Sequence, residues 1–140
     1  MLRAALLTAA GLALATACAS PGDGSLDTPD SPVARYDWDQ TAAMEALLEG
    51  LLELRGECLY VGGTVAAFPR SLASWDPARE VLTYAGIEYA LGDVVSAGGG
   101  SAASLRGVAI PAGCELQPGD LGGEVEVFLV QDEDLEPYAR

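Results

Sequence analysis

The side chains that could do chemistry here are few. The chain of 140 residues contains no histidine, so neither a Ser-His-Asp nor a Cys-His arrangement can be assembled from it. Two aspartates sit in turn-forming contexts, Asp76 in Ser74-Trp75-Asp76-Pro77 and Asp93 in Gly92-Asp93-Val94-Val95. Facing each other across a cleft they could act as the carboxylate pair of a glycosidase-like hydrolase. Carboxylates at such positions also cap turns by accepting hydrogen bonds from nearby backbone N–H groups, and this is the favoured reading. Trp75, with Tyr60, Tyr84 and Tyr89, could form an aromatic platform for a glycan or peptide, or the core of a small domain. Trp75, Asp76 and Asp93 are therefore the candidate ligand-facing residues. Gly98-Gly99-Gly100 lacks the Lys-Ser/Thr of a phosphate-binding loop and reads as a flexible loop. Asp27, Asp30, Asp37 and Asp39 do not have EF-hand spacing. No metal site, cofactor or enzymatic activity is expected.

The three cysteines divide by position. Cys18 follows an uncharged apolar run from Ala4 to Ala17, itself preceded by Arg3. A run of about 14 residues is too short to span a bilayer but fits a secretory leader. Leu14-Ala15-Thr16-Ala17-Cys18 resembles the lipobox of bacterial lipoproteins, with Ala15 where Leu is commonest. This implies cleavage before Cys18 and acylation of its thiol, a palmitate-type anchor. An ordinary secretory signal, leaving Cys18 free, is the alternative. In an exported chain the remaining pair, Cys58 and Cys114, is expected to form a structural disulfide. With no CxxC motif and no histidine, a redox or metal role for that pair is disfavoured.

Charge bounds the partners. The chain carries 21 acids against seven bases, all arginine. Loss of the leader removes Arg3 and leaves a balance of −15. Such a field repels nucleic-acid phosphates and anionic lipid headgroups and favours cationic partners.

The elements that must position these residues follow in order. Residues 1–17 read as a lipoprotein signal peptide, 18–40 as a lipidated cysteine and flexible acidic, proline-containing tether, 41–131 as a small β domain, and 132–140 as an acidic tail. Tyr36-Asp37-Trp38-Asp39 at the end of the tether is expected to pack on the domain's edge. Between Thr41 and Leu54, Met44, Leu47, Leu48, Leu51 and Leu52 recur at helical spacing, whereas Leu48, Gly50, Leu52 and Leu54 alternate. A strand from Ala46 to Leu54 is favoured, after one helical turn. Glu57–Val61 and Thr64–Phe68 flank the hairpin turn Gly62-Gly63, and Val81–Tyr84 and Ile87–Leu91 flank Ala85-Gly86. A weaker segment runs from Ser104 to Ile110. The last strand, Glu124 to Val130, alternates acids with Val125, Val127 and Leu129, which predicts one buried and one wet face. Five to seven short strands of this kind predict a mainly β fold, a small antiparallel β-barrel closed by one disulfide. The Gly92-Asp93-Val94-Val95 turn resembles one that recurs in OB-like barrels, an analogy that makes the expected barrel OB-like.

Gly56-Glu57-Cys58-Leu59-Tyr60-Val61 also resembles a motif of small exported lipoproteins of actinobacterial type. The resemblance extends through Val65-Ala66-Ala67-Phe68-Pro69, Trp75-Asp76-Pro77, Gly92-Asp93-Val94-Val95-Ser96-Ala97-Gly98-Gly99 and Cys114, about residues 46 to 130. That family has no assigned activity, so the resemblance implies location and disulfide and supplies no chemistry. The expectation is a lipid-anchored protein on the extracytoplasmic face of the cell membrane. Its small barrel would bind a cell-envelope protein or cell-wall component; a small hydrolase is the alternative.

Overall fold

The computed structural model describes residues 31–41, 43–118 and 126–137. The leader, Cys18, the tether before Ser31, Glu124-Val125 of the last expected strand and the end of the tail lie outside the described residues.

Five strands close a barrel. They are β2 (Ala46–Arg55), β3 (Cys58–Val61), β4 (Thr64–Pro69), β8 (Val94–Ser101) and β10 (Val127–Val130). β2 pairs with β3 and β8, β3 with β4, and β10 with both β4 and β8. Four seams are antiparallel, and the seam between β4 and β10 is parallel, with Val127, Phe128 and Leu129 opposite Val65, Ala66 and Ala67. In chain order, the third barrel strand lies beside the fifth and the first beside the fourth. This is the Greek-key arrangement of an OB-type barrel. The helical alternative for 41–54 gives way to β2. Ten residues of β structure there let Leu52 reach the core, and among the described residues no helical turn precedes it.

Between β4 and β8 the chain builds a separate sheet from β5 (Ala73–Asp76), β6 (Val81–Tyr84) and β7 (Ile87–Ala90). The stretch around Trp75, expected as a loop, is therefore strand, and the turn comes after it. Alternation along β5 and β6 sends Trp75, Leu82 and Tyr84 into the same core as Leu52, Leu59, Phe68 and Val95, so the small sheet plugs the barrel. The Phe68 and Tyr84 rings meet edge to face at 5.8 Å. Trp75, Tyr60, Tyr84 and Tyr89 are all buried; of the two readings for these aromatics, core is the one realised.

Period-two alternation sorts β3, β4 and β10 between two cores. Leu59, Val61, Ala66, Phe68, Phe128 and Val130 face inward. Cys58, Tyr60, Val65, Ala67 and Val127 face outward into a second cluster, covered by Leu105, Val108, Ile110 and Leu116. The wet face expected for the last strand is thus buried, as befits a strand in a parallel seam. The disulfide Cys58–Cys114 fastens this covering segment to β3. Within it only β9 (Val108–Ala109) is strand, paired with β1 (Ala34–Tyr36).

β1 corrects the expected tether. Val33 and Ala34 are buried and β1 runs parallel to β4, with Ala34 opposite Ala67, so the folded unit reaches back at least to Ser31. At the other end Leu135 is buried and β11 (Glu136–Pro137) pairs with β8. The described part of the acidic tail, 132–137, is packed there: two tyrosines hold its carbonyls and a third holds the end of the strand before it. The hydroxyls of Tyr36, Tyr84 and Tyr89 donate to the carbonyls of Val130, Asp132 and Leu135 at 2.6, 2.5 and 2.6 Å.

Gly98-Gly99-Gly100 lies inside β8, not in a loop. A Cβ on Gly99 would fall 1.9 Å from the Leu129 carbonyl oxygen, and one on Gly100 would meet the Met44 side chain at 2.6 Å. The run of glycines lets β10 and Met44 lie directly on the β8 backbone.

Candidate functional site

The site starts from two turns that the fold brings together. β2 and β3 are joined by Gly56-Glu57, with Gly56 at φ +59, the first central position of a type II′ hairpin. That geometry projects Glu57 from the barrel end. β5 and β6 are joined by Pro77 to Glu80. Asp76 caps this turn, its Oδ1 accepting from the N–H groups of Ala78 and Arg79 at 2.9 and 3.1 Å. Glu80 closes it at φ 52, a left-handed conformation that costs a non-glycine residue about 1 kcal/mol or more.

Between the two turns lies a cleft of about 130 Å3. Trp75, Leu54, Pro32 and Pro77 line its apolar part, and Glu57 and Glu80 are its two acidic lining residues. Trp75 is only 5% exposed, so it contributes a wall rather than a projecting platform. The adjacent arginine is already engaged: the Arg79 guanidinium grips the Glu88 carboxylate with two bonds of 2.7 and 2.8 Å. That bidentate contact holds the Glu88 carboxyl below its ordinary range. No hydrogen bond or ion pair of Glu57 or Glu80 is present among the described residues. The cleft therefore joins apolar surface to unspent negative charge, which suits a protonated amine or guanidinium on an apolar stem.

The sequence-derived candidates are distributed differently. Trp75 belongs to this cleft, and Asp76 supports the turn beside it. Asp93 accepts the Ala90 N–H through Oδ2 at 2.8 Å, so both aspartates are occupied in turn capping. Asp76 and Ala90 are aligned through Val81 across the small sheet, which separates their backbones by two strand spacings, roughly 10 Å. Neither aspartate lines the cleft. Glu57 and Glu80 escaped the sequence reading. The signal that could have found them is their place in tight turns, one beside Gly56 and the other at the end of Pro77-Ala78-Arg79-Glu80.

A second hollow, of about 180 Å3, lies among Ser31, Val33, Arg35 and residues 109–112. No cluster of three or more potential metal ligands occurs among the described residues. The outer face of β3 and β4, where OB-type barrels take oligonucleotides or oligosaccharides, is occupied by the chain's own disulfide-fastened segment. Among the described residues no helix is long and apolar enough to cross a membrane. Comparison with protein families, with characterised proteins and with solved structures found no match.

Proposed function

We propose that this chain is a lipid-anchored extracytoplasmic binding module. Its barrel presents the Trp75–Glu57–Glu80 cleft to a cationic group on a cell-envelope protein or cell-wall peptide. The observation that carries the binding role is the pairing of apolar walls with two carboxylates that no described residue neutralises. The net charge of the mature chain adds long-range attraction for such a ligand. The disulfide supports an oxidising compartment, and the lipobox-like Leu14-Ala15-Thr16-Ala17-Cys18 supports anchoring.

Calorimetric titration of the leader-free chain with an arginine-bearing peptide tests the binding role. Saturable binding that weakens about tenfold in Glu57→Gln/Glu80→Gln is expected; equal affinity in that variant contradicts it. Membrane fractionation tests the anchor. Wild type is expected with membranes and Cys18→Ser in the soluble fraction. A Cys18→Ser protein that still sediments contradicts it.

A further inference from the structure

A different face of the barrel carries a second binding feature. Of the four large hydrophobic residues exposed among those described, three lie together at the start of the barrel: Met44, Leu47 and Leu51, at 41%, 62% and 44% exposure. Leu47 and Leu51 project from the outer face of β2, with Gly98 and Val94 opposite them on β8. Gly98 and Gly100 add no side chains of their own, so neighbouring side chains lie over their backbone beside the leucines. Met44 covers Gly100 and the Asp132 carboxylate covers Gly98. The Gly98 N–H also donates to Asp132. Met44 over Gly100 and Leu47 opposite Gly98 group at one end of this face, with Leu51 beyond Glu49. Apolar side chains grouped on one face among charges mark an interaction surface, whereas isolated ones are ordinary.

The charge around the strip selects the occupant. Glu49 lies between the two leucines on the same face, Glu53 continues the row, and Asp132 borders it. The one cation in that row, Arg55, is bound to Glu53 at 2.6 Å. A second copy of the chain would set Glu49 and Asp132 against their own like, and an anionic bilayer would be repelled in the same way. A partner with apolar and basic residues on one face is complementary in both respects. Leu47 and Leu51 stand roughly 13 Å apart along the strand, close to the rise of two helical turns, about 11 Å. That is nearest to apolar positions two turns apart, i and i+7, on one side of an amphipathic helix.

We propose that the outer face of β2 and β8, centred on Leu47 and Leu51, docks a basic amphipathic helix of a partner protein. The test uses the full chain captured on a sensor surface. The probe is a short helix-forming peptide of leucine and lysine at amphipathic spacing, and its leucine–glutamate counterpart is the control. The lysine peptide is expected to bind saturably and the glutamate peptide not to bind. Leu47→Ser/Leu51→Ser keeps the net charge, alters only exposed side chains, and is expected to lower affinity for the lysine peptide by about tenfold or more. A circular-dichroism melt matching wild type establishes that this variant is folded. Glu49→Gln/Glu53→Gln is expected to slow association and reduce its salt dependence. Unchanged affinity in the serine variant would mean charge alone attracts the peptide and would overturn the proposal. Self-association of wild type that the serine variant abolishes would assign the face to a second copy, and would equally overturn it.

Discussion

The Tyr60 hydroxyl accepts a hydrogen bond from the Glu115 N–H at 2.8 Å, beside the disulfide that joins Cys58 to Cys114. Bond and disulfide together latch the 105–116 segment over the outward side chains of β3, β4 and β10. The OB-type barrel thereby loses its usual ligand face and gains a second core. With a sequence separation of 56, the cross-link should stabilise the fold by roughly 4 kcal/mol in the loop-entropy description. Urea unfolding should show a loss of that order in Cys58→Ser/Cys114→Ser. Tyr60→Phe should lose about 1 kcal/mol, the worth of one hydrogen bond.

Close backbone approach makes two glycines irreplaceable. Gly99→Ala would drive a methyl group into the Leu129 carbonyl, and Gly50→Ala would place one 2.4 Å from the Gly62 Cα. Each should cost about 3 kcal/mol or more, because only backbone displacement relieves the clash. Gly86→Ala meets no atom within 4 Å and carries only its positive-φ penalty, about 1–2 kcal/mol. Chemical denaturation of the three variants checks the ranking.

Stability should fall at alkaline pH. Burial pushes the Tyr36 hydroxyl up to about 12, against a hydrogen bond from Gln131 that lowers it. Tyr84 is raised by burial and by neighbouring Tyr36, Asp132 and Asp134, and Tyr89 chiefly by burial. A folded-state value above the unfolded one near 10 favours the protonated tyrosine. Its stabilisation is complete below about pH 10 and is lost as pH rises through the folded value. For Tyr36 that window runs from about 10 to about 12, with a slope of up to about 1.4 kcal/mol per pH unit. Melting temperatures between pH 8 and pH 12 (roughly the onset and end of tyrosine ionisation) should be flat and then drop. In Tyr36→Phe the drop should be shallower.

The folded unit depends on the stretch before Tyr36. A chain beginning at Tyr36 lacks Val33 and Ala34, both buried, and two of the three β1 residues paired with β4. It should be less stable by about 2–4 kcal/mol than one beginning at Ala19. Parallel urea titrations of the two forms decide this.

Much of the barrel was legible because its signals are local. Gly62-Gly63 and Ala85-Gly86 each adopt positive φ, so both hairpins follow from two-residue turns between β-favouring runs. The alternation of Leu48, Gly50, Leu52 and Leu54 outweighed the helical spacing in β2, where Gly50 is required by contact with Gly62. What the sequence hid was non-local. β1 lies among prolines and aspartates that resemble a spacer, and its strand character comes from pairing with β4. Gly98-Gly99-Gly100 resembles a loop until Leu129 and Met44 are placed against it. Trp75 was identified, but its partners in the cleft, Glu57 and Glu80, come from separate hairpin turns and meet only through tertiary packing.

The cleft is the centre of the functional account, and Trp75, one of its lining residues, carries an indole N–H whose resonance can be followed. Two-dimensional NMR of the leader-free chain, titrated with an arginine-bearing peptide, follows that resonance beside the Trp38 indole as an internal reference. The account predicts a saturable shift of the Trp75 signal, a still Trp38 signal, and loss of the response in Glu57→Gln/Glu80→Gln. A Trp75 resonance that stays fixed while other surfaces shift would contradict it.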